Sequence, residues 1–69
     1  MLSGNMLRVL QMLSEEDMTL ERVRKSTRLS ERVLESVITA LVEKGYISLD
    51  GDLAKITEHG KEVVKKTQL

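Results

Sequence analysis

The stretch at residues 29–47, LSERVLESVITALVEKGYI, decides how this chain folds. Ser30 is a residue type that favours the start of a helix. The apolar residues that follow it repeat at the i, i+3, i+4, i+7 spacing of an amphipathic helix: Leu34, Val37, Ile38 and Leu41. Gly45 is typical of the left-handed residue just past a helix end, and Tyr46-Ile47 begins a strand-like run. The stretch therefore predicts a capped helix followed by a strand.

Two more helices are predicted before this one. The first covers roughly residues 5–13, where the same apolar spacing recurs at Met6, Val9, Leu10 and Leu13. After a polar break at 14–17, Thr19 suits the cap of a short second helix at about 20–26, with Glu21 in its first turn. That helix buries Leu20 and Val23. A tight connection at 26–29 joins it to the third helix.

The segment after the third helix predicts a β-hairpin and a last helix. Asp50-Gly51 is a strong hairpin signal between two runs that carry Ile47, Leu49, Ala54 and Ile56. Thr57 suits the cap of the last helix, EHGKEVVKKTQ, with Val63 and Val64 facing inward and Lys65 and Lys66 near its end. The predicted fold class is mainly α with a small β-hairpin, in a single domain over residues 1–69.

The composition argues against an enzyme. A chain of 69 residues buries only about 60% of its unfolded surface, and 41% of its residues are apolar with Tyr46 as the one aromatic. An aliphatic core of this size leaves little room for a catalytic pocket. Without cysteine and with His59 alone, neither a thiolate site nor a histidine pair exists. We expect no enzymatic activity, no cofactor, no metal and no small-molecule substrate.

Neither a membrane segment nor a leader is predicted. No apolar run approaches the ~20 residues that span a bilayer. Arg8 and Gln11 interrupt the apolar N-terminal stretch, and no small-residue cleavage site follows it. The sequence predicts a cytoplasmic protein.

Charge is zoned along the chain although it sums to zero. An acidic run over residues 15–21 precedes a group of five cations, here called the basic cluster: Arg22, Arg24, Lys25, Arg28 and Arg32. A zero net charge excludes a protein that coats nucleic acid by bulk charge alone. A local cluster can still contact phosphates.

Four pieces of the sequence resemble one known superfamily when taken in order. They are TLERVRKSTRLS, ALVEKGYI, LDGD and ITEHGKEVV, within roughly residues 6–66. In this register the chain resembles the winged helix-turn-helix superfamily, namely the small MarR-like and ArsR-like regulators of prokaryotes and archaea. The resemblance implies a winged-helix fold and a function in DNA binding and transcription regulation.

The chain departs from the family pattern at three places. Arg28 stands where the turn often has glycine, and a longer side chain is tolerated there if the backbone is not left-handed. Arg24 stands where a small alanine often packs, so it must extend outward or keep the helices further apart. Glu35 and Ser36 occupy positions where the family commonly shows serine and arginine.

The basic cluster favours a grip on double-stranded DNA. It lies on the second helix, the turn and the start of the third helix, where a docked helix-turn-helix passes the phosphates. Arg32 is placed to reach a guanine edge, and Ser36 and Thr39 to contact a base or a phosphate. In the acidic hairpin tip only Lys55 can help, so the tip is expected to stay clear of DNA. The predicted DNA-binding residues are Arg22, Lys25, Arg28, Ser30, Arg32, Ser36, Thr39 and Lys55.

An alternative function remains open from the sequence. Glu31, Glu35 and Glu43 on the third helix, with the acidic hairpin tip, favour a winged-helix module that binds protein and not DNA. Apolar residues off the main stripe and at the termini also favour a homodimer, with two reading helices ~34 Å apart. Those residues are Met1, Leu2, Leu7, Met12 and Leu69. The simpler explanation for them is scattered surface hydrophobic residues.

Overall fold

The computed structural model of the chain describes residues 2–67. These residues form α1 (Gly4–Glu15), β1 (Met18–Thr19), α2 (Leu20–Thr27), α3 (Glu31–Glu43), β2 (Ile47–Asp50), β3 (Leu53–Ile56) and α4 (Glu58–Thr67). Every predicted helix and the hairpin are present, with small differences at the helix ends. The mainly α fold class is confirmed, and β1 is an element that the sequence analysis did not predict.

Hydroxyl side chains start the first three helices as their sequences indicate. Ser3, Thr19 and Ser30 adopt extended backbone angles, and each side-chain oxygen accepts a hydrogen bond from the backbone N–H three residues later. The donor–acceptor distance is 3.2 Å in each case. The caps satisfy N–H groups that have no partner inside a helix, which explains why these helices begin where they do.

The predicted apolar stripes form one core. On α1 and α3 every residue of the predicted stripes is buried, and Val23 and Val64 join them from α2 and α4. Leu20 and Val63 are half-buried and pack against the same core. α1 lies across the molecule and packs on α3, α4 and β3. The 3.6-residue spacing of apolar side chains is thus sufficient to identify the buried face of these helices.

The sheet has three antiparallel strands in the order β1-β3-β2. Met18 pairs with Ala54 and Thr19 with Leu53, which places β1 on the outer side of β3. The Leu20 N–H donates to the Asp52 carbonyl oxygen at 2.8 Å and extends this pairing into α2. A two-residue strand carries no alternation that sequence reasoning could recognise, because it forms only against a strand far along the chain.

The hairpin turn is shifted by one residue from its predicted position. Asp50 pairs with Leu53, so the two-residue loop is Gly51-Asp52 and not Asp50-Gly51. Gly51 has a positive φ of 62°, whereas Asp52 does not, which is the pattern of a type II′ turn. This register sets Leu49 opposite the apolar Ala54, while the predicted loop would have set it opposite an aspartate.

The junction between the hairpin and α4 explains the sequence ITEHG. The Thr57 hydroxyl donates to the Gly45 carbonyl oxygen at 2.6 Å and accepts from the Gly60 N–H at 3.0 Å. A Cβ at position 60 would overlap the Tyr46 carbonyl oxygen and come within 2.7 Å of Ile56 Cγ1. Thr57 therefore caps α4, as predicted, and also ties its start to the end of α3, while glycine allows the close approach.

Candidate nucleic-acid interface

The turn between α2 and α3 differs from the expectation in its backbone. Arg28 has φ 60° and ψ 21°, in the left-handed region, and its N–H donates to the Arg24 carbonyl oxygen at 2.9 Å. The condition under which the sequence analysis tolerated a long side chain here, a backbone outside the left-handed region, is not met. The buried Thr27 hydroxyl donates to the Val23 carbonyl oxygen at 2.8 Å and accepts from the Leu29 N–H at 3.4 Å, so this side chain connects the last turn of α2 to the residue after Arg28. A left-handed non-glycine residue costs about 1–2 kcal/mol.

Arg28 and Arg32 lie on either side of the Ser30 cap, and both are exposed. Within residues 2–67 neither guanidinium has a carboxylate oxygen within 4.0 Å. The turn and the first turn of α3 therefore present two positive groups that are available to an anion.

Two other predicted contacts of the basic cluster are engaged by acids. Arg22 Nη2 lies 2.8 Å from Glu16 Oε1, and Lys25 Nζ lies 3.5 Å from Glu21 Oε1. All four side chains remain largely exposed, and exposed pairs contribute only about 0–1 kcal/mol. Arg22 and Lys25 are thus partly neutralised but can be released at small cost.

The outer surface of α3 separates its polar residues into two stripes. Arg32, Ser36, Thr39 and Glu43 recur at i, i+4, i+7 and i+11, opposite the buried stripe. Glu31 and Glu35 lie on the neighbouring stripe, on the same side as Ile38. Arg32 is in the first turn and Glu43 in the last, about 16 Å apart along the axis. The first three members of the outer stripe are predicted contacts, and the structure brings them onto one exposed face.

Ser30 and Lys55 have structural partners. The Ser30 oxygen accepts the cap hydrogen bond from the Val33 N–H. Lys55 lies on β3 opposite Ser48, and its Nζ is 4.0 Å from Asp50 Oδ2. The acidic hairpin tip thus holds the one cation that the sequence analysis assigned to it.

Comparisons with solved structures identify the fold. Adhesin competence repressor (AdcR) from Streptococcus pyogenes is similar with a TM-score of 0.86 and 19% identity, over 94% of this chain and 54% of that one. BpsR of Bordetella bronchiseptica, whose DNA binding is regulated by 6-hydroxynicotinic acid, is similar with a TM-score of 0.87 and 22% identity, over 94% and 51%. The fold is a winged helix. The resemblance noted in the sequence is confirmed at the level of fold.

The winged helix spans about half the length of these two solved proteins. No family model matches the sequence, and no curated protein matches it. In winged-helix terms α2 and α3 have the positions of the helix-turn-helix, with α3 in the place of the helix called the recognition helix, and β2 and β3 form the wing.

A surface groove between α2, α3 and the wing strand β2 was not predicted. We call it the α2–α3 groove; its volume is about 660 Å³, and its apolar lining comes from Leu20, Leu34, Ile38 and Leu49. Leu49, one of the apolar residues of the predicted hairpin, has 43% of its surface exposed. Arg24 is half-buried and lines the same groove. The sequence signal for this groove was Leu49, an apolar residue close to the hairpin turn.

Two negative findings apply to residues 2–67. In that range no group of three or more His, Cys, Asp or Glu side chains is arranged to hold a metal ion. None of the helices described there is long and apolar enough to cross a membrane.

Proposed function

We propose that this winged helix binds double-stranded DNA and acts as a transcription regulator. The observation that carries the proposal is the pair of exposed guanidinium groups of Arg28 and Arg32, which flank the start of the recognition helix without acidic partners in the described chain. Phosphate contacts from such groups supply much of the affinity of DNA-binding proteins.

The backbone at Arg28 gives this proposal a physical argument. Glycine would occupy a left-handed position without strain, yet the turn carries a long cationic side chain there. Strained conformations are found preferentially at functional sites, where the side chain compensates for the strain. We therefore assign Arg28 to phosphate contact.

The outer stripe of α3 is assigned to the bases. Its N-terminal end carries Arg32, followed by Ser36 and Thr39, and recognition helices contact base edges mainly with their N-terminal residues. Glu43 lies at the other end of the stripe, about 16 Å along the helix axis from Arg32, and therefore away from the bases that Arg32 would contact. Glu31 and Glu35 lie on the neighbouring stripe, so the outer stripe itself carries no acid at its start.

The remaining predicted contacts have supporting roles in the proposal. Arg22 and Lys25 add phosphate contacts when their exposed ion pairs open. Ser30 caps α3 and orients it, and Lys55 contributes little because it is close to Asp50.

The comparisons support the proposal through the two similar structures. One of those proteins is described as a repressor, and the other as a protein whose DNA binding is regulated. The same fold in this chain makes a docked recognition helix geometrically possible.

A homodimer in the cytoplasm completes the proposal. Leu7 and Met12 are half-buried on α1, whereas Leu2 packs against the core and is not spare surface. Met1 and Leu69, which were also assigned to the dimer, lie outside the described residues. Sedimentation equilibrium of wild type and a Leu7→Lys variant tests the dimer, which predicts a lower mass for the variant.

The DNA proposal is tested by fluorescence anisotropy with a labelled duplex of mixed sequence at several salt concentrations. Binding should weaken steeply as salt rises, because phosphate contacts release counterions. The double variant Arg28→Ala/Arg32→Ala should bind at least about tenfold more weakly, and its log–log salt slope should fall by about 1, for the phosphate contact assigned to Arg28.

A matched double variant controls for loss of charge alone. Lys65→Ala/Lys66→Ala removes two exposed cations from the last turn of α4, away from the helix-turn-helix, and should leave the affinity close to that of wild type. Equal losses in both variants would contradict the assigned grip. No salt-dependent binding by wild type would favour the alternative, a winged-helix module that binds protein and not DNA.

A further inference from the structure

The α2–α3 groove has an apolar floor that nothing in the described chain covers. Leu34 and Ile38 supply its α3 wall and retain 6% exposure each, while Leu20 and Leu49 close it from α2 and the wing. Its volume of about 660 Å³ is within the range of sites that bind ligands or side chains of a partner. The groove is therefore large enough to accept several apolar side chains.

The rim of the groove is acidic. Glu31 and Glu35 line it from α3, one helical turn apart, and Glu21 lines it from α2. Glu21 pairs with Lys25, but neither α3 glutamate has a cationic group within 4.0 Å in the described part of the chain. Arg24 is the one cation on the rim, so the groove as a whole is negative.

We propose that the α2–α3 groove is a docking site for a basic amphipathic helix of a partner protein. The apolar face of such a helix would fill the floor with side chains at i, i+3, i+4 and i+7, the usual pattern of helix-in-groove recognition. Its lysine or arginine side chains would meet Glu31 and Glu35, whose one-turn spacing matches cations one turn apart on the incoming helix.

Charge complementarity separates this occupant from others. A duplex is excluded from the groove because its phosphates would face three rim carboxylates. A second copy of this chain would have to bring a basic and apolar face, but the basic cluster lies on the same helices as the groove itself. α4 also carries lysines, yet its apolar residues Val63 and Val64 pack into the core. A basic helix satisfies both the floor and the rim.

The proposal does not depend on DNA binding, because the groove floor and the N-terminal end of the outer stripe are formed by different residues of α3. Glu31 and Ile38 line the groove, and Arg32 and Ser36 lie on the outer stripe. Glu35 and Thr39 lie at the border between the two surfaces. Failure of one proposal therefore leaves the other intact.

The test uses two synthetic peptides of about 15 residues, long enough to form a helix on binding. Both carry leucine at i, i+3, i+4 and i+7, and the other positions are mainly lysine in one peptide and mainly glutamate in the other. Anisotropy of the labelled peptides is measured with the full chain and no DNA. The lysine peptide should bind at least about tenfold more tightly than the glutamate peptide.

Variants locate the binding site. Leu49→Ala should weaken the lysine peptide about tenfold by removing apolar surface from the floor. Val33→Ala is the matched control, because Val33 has a similar exposure of 40% and lies about 200° around α3 from Glu31. Glu31→Gln/Glu35→Gln should weaken binding about fivefold, whereas Glu62→Gln on α4 should not change it.

Three results would overturn the proposal. One is equal binding of the two peptides, and another is equal binding by wild type and Leu49→Ala when circular dichroism shows both folded. The third is a dimer in sedimentation equilibrium that Leu49→Ala dissociates, which would assign the groove to a second copy of this chain.

Discussion

Two positions use glycine in opposite ways. Arg28 is a non-glycine residue with a left-handed backbone in an exposed turn, and Gly60 is a glycine at a helix start where no side chain fits. At the first position the backbone favours glycine and the proposed function favours arginine. At the second, packing alone requires glycine.

Replacing Arg28 by glycine should raise the stability of the protein and lower its affinity for DNA. The free energy of unfolding should rise by up to about 1 kcal/mol, because the left-handed strain is larger than the entropy that glycine adds to the unfolded chain. Affinity for a mixed-sequence duplex should fall in the same variant. Urea denaturation and anisotropy measure the two effects.

Arg28→Lys is the control for the effect of Arg28→Gly on stability. It keeps both the side-chain charge and the left-handed strain, so its unfolding midpoint should match that of wild type. A lower midpoint for Arg28→Gly than for Arg28→Lys would show that the turn is not strained.

Replacing Gly60 by alanine should destabilise the protein. The new methyl group would overlap the Tyr46 carbonyl oxygen and press on Ile56, and overpacking of this kind costs about 1–3 kcal/mol. Alanine's higher helix propensity offsets at most about 1 kcal/mol of this. Gly4→Ala at the start of α1 is the matched control, since nothing lies within 4 Å of its added Cβ. If both variants have the same unfolding temperature, the close approach of the Tyr46 carbonyl oxygen does not restrict the side chain at position 60.

At the scale of the elements, one threonine joins three segments. Thr57 ends the wing, caps α4 and bonds the Gly45 carbonyl just past α3. Its own N–H donates to the Tyr46 carbonyl oxygen at 3.0 Å. Thr57 therefore fixes the start of α4 to the end of α3, and packing on α1 and β3 holds the rest of the helix.

Thr57→Val should weaken the connection between the wing, α4 and the end of α3. Valine keeps the side-chain shape but removes the cap and the bond to Gly45, with an expected loss of about 1–3 kcal/mol in the free energy of unfolding. Hydrogen exchange of the Gly60 amide should also become faster in the variant than in wild type, measured relative to the amides in the core of α3. Thr39→Val, an exposed change on α3, should stay within about 0.5 kcal/mol of wild type. Equal stability of the two variants would mean that the hydrogen bonds of the Thr57 hydroxyl do not contribute to the free energy of unfolding.

At the scale of the whole molecule, stability rests on one aliphatic core. A domain of 69 residues is expected to have a free energy of unfolding of about 3–10 kcal/mol. α1 provides Leu10 and Leu13 to this core, both almost fully buried, and packs on both the helical and the sheet parts.

Leu10→Ala should remove a large share of that stability. Deleting a fully buried leucine side chain costs about 2–5 kcal/mol, so the variant should unfold at a clearly lower temperature than wild type. Leu49→Ala makes the same chemical change at a leucine with 43% exposure and should melt close to wild type. Thermal unfolding followed by circular dichroism compares the two. Similar losses in both would show that the groove leucine is part of the core.

Much of the fold is predictable from the sequence because it depends on local pattern. Apolar spacing identified the buried faces of α1 and α3, and the capping hydroxyls of Thr19, Ser30 and Thr57 marked helix starts. Each of these features depends on residues within a few positions of one another along the chain. The fold class followed from their order.

The tertiary structure decided the features that depend on distant partners. β1 exists only because β3 pairs with it, and the turn moved to Gly51-Asp52 because the strands pair in a different register from the predicted one. The left-handed Arg28, the pairing of Arg22 with Glu16 and the exposure of Leu49 likewise depend on how whole elements meet. The sequence alone determined the helices and their buried faces, since a helix forms its hydrogen bonds within itself. Strand pairing, ion pairs and grooves require segments to meet in space, so only the folded chain determines them.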